Sequence, residues 1–236
     1  MLIGARQGFT GSAEWENPYV TDGLVAMYDG EWNAGGGKHD ARLQGWMNLV
    51  TMTLSPYSKK NETPNWQSKS WRSISSTDEK FFEASFPDIR NANTVEVVVS
   101  KFTDDRGVII GSYGMPSSNG VSFERFNSNG YKFRAYYNGN PQLFSDREIF
   151  PLNQIKYYAA VQSGDNSRIY NGAGTQVGAN TSNARSFTAS PARIGTDSRT
   201  TTMCWNGEIY AIRIYSRALT TAEIKSNYSI DAARFL

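Results

Sequence analysis

The chain has 236 residues, of which 39% are hydrophobic and 13% aromatic, enough to fill one large core. Its 24 Lys and Arg stand against 22 Asp and Glu, and a net charge of +2 provides no long-range field to gather nucleic acid or an anionic membrane surface. The single Cys204 excludes an internal disulfide and suits folding in a reducing cytoplasm, and no apolar run approaches the ~20 residues of a membrane-spanning helix.

Residues 1–21 read as an N-terminal arm. MLIGARQGFTGSAEW lacks the apolar core of a signal peptide, and because free termini fray, an ordered arm is expected to be held by packing, a neighbouring subunit being one surface for it. Residues 22–236 carry no repeat or linker and read as one domain. It opens with a strand at Leu24 to Tyr28, followed by the polar, glycine-rich loop DGEWNAGGGKHD. Trp46 reads as a packing aromatic. The stretch from Val50 to Phe86 is irregular, with Pro56, Pro64, Trp66, Trp71, Phe81 and Phe82 among polar residues, and is expected to form long excursions with short strands pinned by aromatics.

From Thr94 onward the chain alternates strands with turns. Asn-Gly recurs at 119, 129, 138, 171 and 206, and both residues tolerate the positive φ that tight hairpins need. Strands are predicted at Thr94 to Phe102, Val108 to Tyr113, Val121 to Phe126, Tyr131 to Tyr137, Ile155 to Gln162, Arg168 to Tyr170, Arg193 to Gly195 and Glu208 to Tyr215. In VSFERFNSNGYKFRAYY, pairing Phe123 with Ala135 and Arg125 with Phe133 puts the apolar residues on one face. Ser122, Glu124, Lys132, Arg134 and Tyr136 then line the other.

The last strand has Ile209 on one parity and Ile212 and Ile214 on the other. A bulge near Tyr210, or burial of both faces, reconciles them. Thr220-Thr-Ala-Glu223 has capping-box spacing, and Ile224, Tyr228, Ala232 and Phe235 form an apolar stripe behind it. A short C-terminal helix is predicted to lie on the sandwich with that stripe inward.

The run WNGEIYAIRIYSRALTTAEIKSNY resembles the closing signature of laminin-G-like domains of the concanavalin A-like jelly-roll superfamily. GLVAMYDGEWNAG resembles the opening strand and loop of these domains. IKYYAAVQSGDNSRIYNG resembles their Tyr-x-Asn-Gly hairpin, with Lys156 or Tyr157 where a Trp is usual, and PARIG resembles the strand before the close. The resemblance implies an all-β fold: a two-sheet antiparallel jelly-roll sandwich with a short C-terminal helix. It implies no single activity.

Laminarinase-type glucanases share that superfamily and cluster their acids as Glu-x-Asp-x-x-Glu, so that two carboxyls flank the glycosidic bond at about 5 to 5.5 Å. That pattern is absent: Glu96 is followed by valines, Glu124 by Arg125, and Asp104-Asp105 sits in a turn-like run. These acids read as solvated turns or cross-strand ion pairs, and the protein as no enzyme. His39 beside Asp40 reads as a loop-packing imidazole, and Gly35-Gly36-Gly37 lacks the ending of a phosphate cradle. Cys204 reads as a buried inert thiol beside a core Trp205. Oxygens of Asp29, Glu31, Asn33 and Asp40 could hold Ca²⁺, as in some laminin-G-like domains; no other cofactor is expected.

Trp32 and Tyr113 are predicted to be exposed, where an aromatic face can stack on a sugar. Ligand-contact candidates are Trp32, Asn33, His39, Asp40, Tyr113, Arg134 and Tyr136. The expected role is non-catalytic recognition or structure: a phage virion component, such as a tail or head appendage, made in the bacterial cytoplasm and binding host-surface glycan. The alternative is a carbohydrate-binding module of a bacterial cell-surface protein, with a glycoside hydrolase ranked behind it. Expected partners are glycan, other subunits of a larger assembly or copies of the chain, with no nucleic acid and no membrane insertion.

Overall fold

The computed structural model describes residues 16–74, 80–84, 89–90, 92–103, 105–111, 120–125, 132–137, 140–145, 151–164, 166–181, 186–187, 192–196 and 203–236. Along 89–90, 92, 120–125, 132–137, 140–145, 179–181 and 186–187, backbone placement alone is described. Residues 1–15 of the expected arm lie outside this set, as does Tyr113.

One sheet contains β1 (Leu24–Asp29), β4 (Trp71–Ser73), β7 (Ala92–Lys101), β12 (Lys156–Ser163), β13 (Asn166–Asn171), β14 (Gln176–Thr181) and β17 (Gly207–Tyr215). Its order is β1-β17-β7-β12-β13-β14, with β4 beside the first half of β17. The other sheet runs β11 (Asn140–Ser145), β10 (Lys132–Tyr137), β9 (Gly120–Arg125), β8 (Gly107–Gly111), β16 (Ala192–Ile194) and β5 (Phe82–Ala84). Two short ladders complete the strands: β2 (Gly45–Asn48) with β3 (Thr53–Pro56), and β6 (Ile89–Arg90) with β15 (Ser186–Phe187). Pairings between strands are antiparallel throughout; the bridge Val108 to Cys204 is parallel. One helix, α1 (Thr221–Phe235), closes the chain. The predicted two-layer sandwich with a C-terminal helix is therefore the observed fold.

β17 shows how its awkward pattern works. Its pairing with β7 passes from Ile209↔Val99 to Ala211↔Val98, leaving Tyr210 as an extra residue. The bulge flips the parity, so Ile209, Ile212 and Ile214 all face the other sheet, with Val95, Val97 and Val99 of β7. Tyr210, Ala211 and Tyr215 face outward with Val98, Tyr157, Ala159, Ile224 and Phe235. All nine residues of β17 are buried because the strand lies between a second sheet and a helix. The main core adds Tyr28, Trp46, Trp66, Trp71, Phe82 and Trp205, so the irregular 50–86 region is indeed pinned by aromatics.

The hairpin register differs from expectation. Val121 pairs with Ala135, and Gly120 with Tyr136, a displacement of two residues. A side-chain period of two cannot separate registers that differ by two, so the pattern determined the faces and left the partners open. β11 and β14 were not predicted. Pro141 and Gly178 weaken their local signal, and both strands lie at sheet edges, where proline is tolerated and the neighbour's ladder does the work.

The helix starts as its sequence requires. Thr220 is extended (φ −73°, ψ 159°), its hydroxyl accepts from the Glu223 amide at 3.3 Å, and Glu223 accepts from the Thr220 amide at 2.8 Å. Its most buried residues are Ile224, Asn227, Asp231 and Phe235, with Tyr228 and Ala232 half-buried. The inward stripe is thus rotated from the apolar expectation toward two polar residues.

Candidate functional site

The polar residues under α1 form one connected network with the loop that follows β1. Glu96 of β7 and Arg213 of β17 occupy directly paired positions, and Arg213 Nε donates to Glu96 at 2.7 Å. Both side chains are fully buried. Glu96 also accepts from Tyr157 Oη at 2.5 Å and from Asn227 Nδ2 at 3.0 and 3.1 Å. From the helix, Asp231 accepts both Arg213 Nη groups. Tyr19 lies against Arg213, the guanidinium 4.0 Å from its ring centre, and donates its hydroxyl to Asp231 at 2.7 Å.

The same tyrosine oxygen accepts from Arg234 at 2.6 Å. Arg234 also donates to both oxygens of Asp29 at 2.7 and 2.9 Å and twice to Glu31 at 2.8 and 3.1 Å. Its guanidinium covers one face of Trp32 at 3.5 Å from the ring centre. Asp29, fully buried at the end of β1, accepts in turn from the amides of Glu31 and Trp32, which turns the chain into the loop.

Burial sets the electrostatics. Desolvation pushes the Glu96 carboxyl upward, against the pull of Arg213, and pushes Asp29 upward against the hydrogen bonds and charge of Arg234. Desolvation opposes the charge on Arg213 as well, but Asp231 and Glu96 outweigh it and hold the guanidinium ionised well above its ordinary range. The phenols of Tyr19 and Tyr157 are raised by the same desolvation, so both remain hydrogen-bond donors.

The loop itself is braced from within. Asn33 is buried, and its amide group donates to the Asp40 carbonyl at 2.9 Å and accepts from the Asp40 amide at 2.8 Å. Gly35, Gly36 and Gly37, at φ of +81°, +59° and +73°, let the chain double back between them. Asp40 is exposed and accepts from the Arg42 amide. His39 is exposed, its Nδ1 lies 3.0 Å from the Gly30 carbonyl oxygen, and its ring meets Trp66 edge-on. With Nδ1 donating, the neutral imidazole carries its lone pair on Nε2.

Of the residues singled out from sequence, Trp32, Asn33, His39 and Asp40 come together in this loop. Trp32 is half-buried rather than exposed, because Arg234 covers it. Of the oxygens suggested for Ca²⁺, both of Asp29 and Oε2 of Glu31 accept from Arg234, Asn33 Oδ1 accepts from the Asp40 amide, and Asp40 Oδ1 accepts from the Arg42 amide. Arg134 and Tyr136 lie on β10 in the other sheet, their side chains outside the described residues, as is Tyr113 altogether. Trp46, Trp205 and Cys204 are fully buried, as expected.

Sequence reasoning placed Glu96 in a cross-strand ion pair or a turn, and the ion pair is what forms. It missed the rest of the network. A signal existed: Glu96 inside TVEVVV and Arg213 inside IYAIRIY are lone opposite charges in apolar strands.

A laminin-G family model, described as the Concanavalin A-like lectin/glucanases superfamily, matches residues 76–225. No curated protein matches the chain significantly. Among solved structures, a native heptameric SAP-like pentraxin from Limulus polyphemus is similar at a TM-score of 0.51 and 17% identity, over 60% of this chain and 70% of that one. Trypanosoma rangeli sialidase gives a TM-score of 0.60 at 11% identity and covers 90% of this chain, which spans only 33% of the sialidase. Domain 4 of AbnA, a GH43 extracellular arabinanase from Geobacillus stearothermophilus in complex with arabinotriose, gives 0.50 at 15% identity, over 86% and 96% of the two chains. At such identities the likeness is one of fold.

Proposed function

Because the chain belongs to the Concanavalin A-like lectin/glucanases superfamily, we propose that it is a non-catalytic recognition protein that binds glycan through the loop following β1. The disposal of three acids, on β1, β7 and α1, carries this reading. Glu96, Asp231 and Asp29 are fully buried and bonded to Arg213 or Arg234, beneath or beside a helix, where no glycosidic bond can reach them. In most glycoside hydrolase families a pair of carboxyls flanks the scissile bond, and these three acids do not offer such a pair. The loop instead carries exposed His39 and Asp40 and a half-buried Trp32, polar and aromatic groups of the kinds that line sugar sites. The arabinotriose in the arabinanase domain and the heptameric state of the pentraxin support a glycan ligand and a homo-oligomer. No cofactor is required, and a Ca²⁺ titration is expected to produce no binding heat.

A glycan-array screen tests the reading, with Trp32→Ala, shown to be folded by circular dichroism, as control. The expected result is a glycan class bound by the native chain and lost in the variant. Failure to bind any glycan at millimolar concentration ends this reading.

A second reading, a structural component of a phage virion such as a tail or head appendage, is favoured by one observation. Val50, Met52 and Leu54 are each exposed on the β2–β3 hairpin, apolar side chains of the kind that docking covers. The chain would then be made in the bacterial cytoplasm, which its single cysteine suits, with host-surface glycan as its target. An antibody to the chain that labels purified particles supports this placement; labelling confined to the bacterial surface would favour a cell-surface carbohydrate-binding module instead.

A further inference from the structure

We infer that Arg234 is a positioning residue for the Trp32 loop, and that Tyr19, which precedes β1, holds Arg234 in place. The inference rests on the reading of this loop as the glycan-contacting surface. A guanidinium has five N–H donors. In Arg234 all five are used: Nε to Glu31, Nη1 to Tyr19 and Asp29, Nη2 to Asp29 and Glu31. Saturation fixes the plane of the guanidinium, and that plane lies on Trp32. The indole therefore has one face committed, and its orientation follows from the hydrogen bonds of a residue 202 positions away in the chain, Trp32 to Arg234.

Asp29 serves both sides of the arrangement. One carboxylate takes Arg234 and also the Glu31 and Trp32 amides, so the loop's first turn and the stacking cation share one anchor. The Tyr19 oxygen accepts from Arg234 while its proton goes to Asp231. The phenol is thus the junction between the Arg234 cluster and the Glu96–Arg213–Asp231 cluster under the helix. Val20, next in the chain, donates its amide to Asn227, which ties the same segment to α1. Displacing residues 16–20 would release Arg234 from one of its five hydrogen bonds and Asp231 from one of its donors. Presentation of the loop is in this way coupled to the segment that enters the domain.

Hydrogen exchange reads the coupling without any glycan. Arg234→Lys keeps a charge but cannot reproduce the planar fork, and Tyr19→Phe removes only the hydroxyl. Loss of a charge-assisted hydrogen bond should speed exchange of the Glu31 and Trp32 amides by about tenfold or more in both variants, with the β7 and β17 amides unchanged. A second readout is tryptophan fluorescence: the emission change caused by Arg234→Lys should vanish in a Trp32→Phe background. The proposal is overturned if the loop amides keep their native rates, if all amides speed up equally, or if the emission change persists without Trp32. Should the exchange result hold while no glycan binds, the coupling stands and the glycan reading alone falls. If glycan binds with native affinity to both variants, the coupling does not position the site.

Discussion

Replacing Arg213 with methionine strands two carboxylates in a dry interface. Glu96 and Asp231 are both fully buried and both lose their main donor. Breaking a buried ion pair by removing one partner costs about 3–5 kcal/mol, because the remaining charge lacks compensation. Protonation limits the damage. Bringing a carboxyl of ordinary pKa near 4.3 to its neutral form at pH 7 costs about 3.7 kcal/mol, and at pH 5 only about 1 kcal/mol, at 1.36 kcal/mol per unit. Desolvation already raises Glu96 in the native protein, and without Arg213 nothing comparable opposes it. A carboxyl raised in the folded state contributes stability below its unfolded pKa and loses it as pH rises through the folded value. Arg213→Met should therefore be about 3–5 kcal/mol less stable than the native chain at pH 7 and recover about 2.7 kcal/mol of that by pH 5 if one carboxyl takes up the proton. Urea unfolding followed by tryptophan emission at pH 5, 6 and 7 measures both quantities. Adding Glu96→Gln and Asp231→Asn should remove the pH slope. A loss below about 1 kcal/mol at pH 7, or one that does not change with pH, would show that this charge is not what holds the helix interface together.

Other outcomes follow from the same geometry. The Arg217 and Thr220 hydrogen bonds hold the Glu223 carboxyl down to about 2, so the cap contributes above the ordinary carboxyl range and is lost as pH falls from about 4.5 toward 2. Solvent screening keeps that contribution to about 1 kcal/mol, and Glu223→Gln should flatten the acid limb of a stability–pH profile by that amount. Gly172→Ala would place a Cβ 2.1 Å from the ring of Tyr228, and thermal melts should show a loss of about 1–3 kcal/mol. The double change Gly172→Ala with Tyr228→Ala should cost less than the sum of the two single changes, and simple additivity would contradict the clash. Ile212→Ala, in the middle of the doubly covered strand, should cost about 2–5 kcal/mol in the same assay.

Local chemistry made much of this protein legible from its amino acids. Val95, Val97 and Val99 alternate, Asn171-Gly172 opens the turn between β13 and β14, and Thr220 with Glu223 announces a helix start; each signal is short in range and acts before any tertiary contact forms. The mixed parity of three isoleucines allowed either a bulge near Tyr210 or burial of both faces, and β17 has both. Even the lone charges Glu96 and Arg213 signalled themselves, though not their partnership.

Other features depended on the assembled fold. Which of two registers β9 and β10 adopt is invisible to a pattern of period two. Asn227 and Asp231 look like the solvent side of α1 until Glu96, Arg213 and Tyr19 surround them, since a polar group is tolerated in a core only when partners from distant strands complete its hydrogen bonds. Trp32 reads as an exposed loop aromatic until Arg234, at the other end of the chain, is laid across it. Residue identity sets what each segment can form alone; where opposite charges and aromatic faces meet across some two hundred residues is decided by packing.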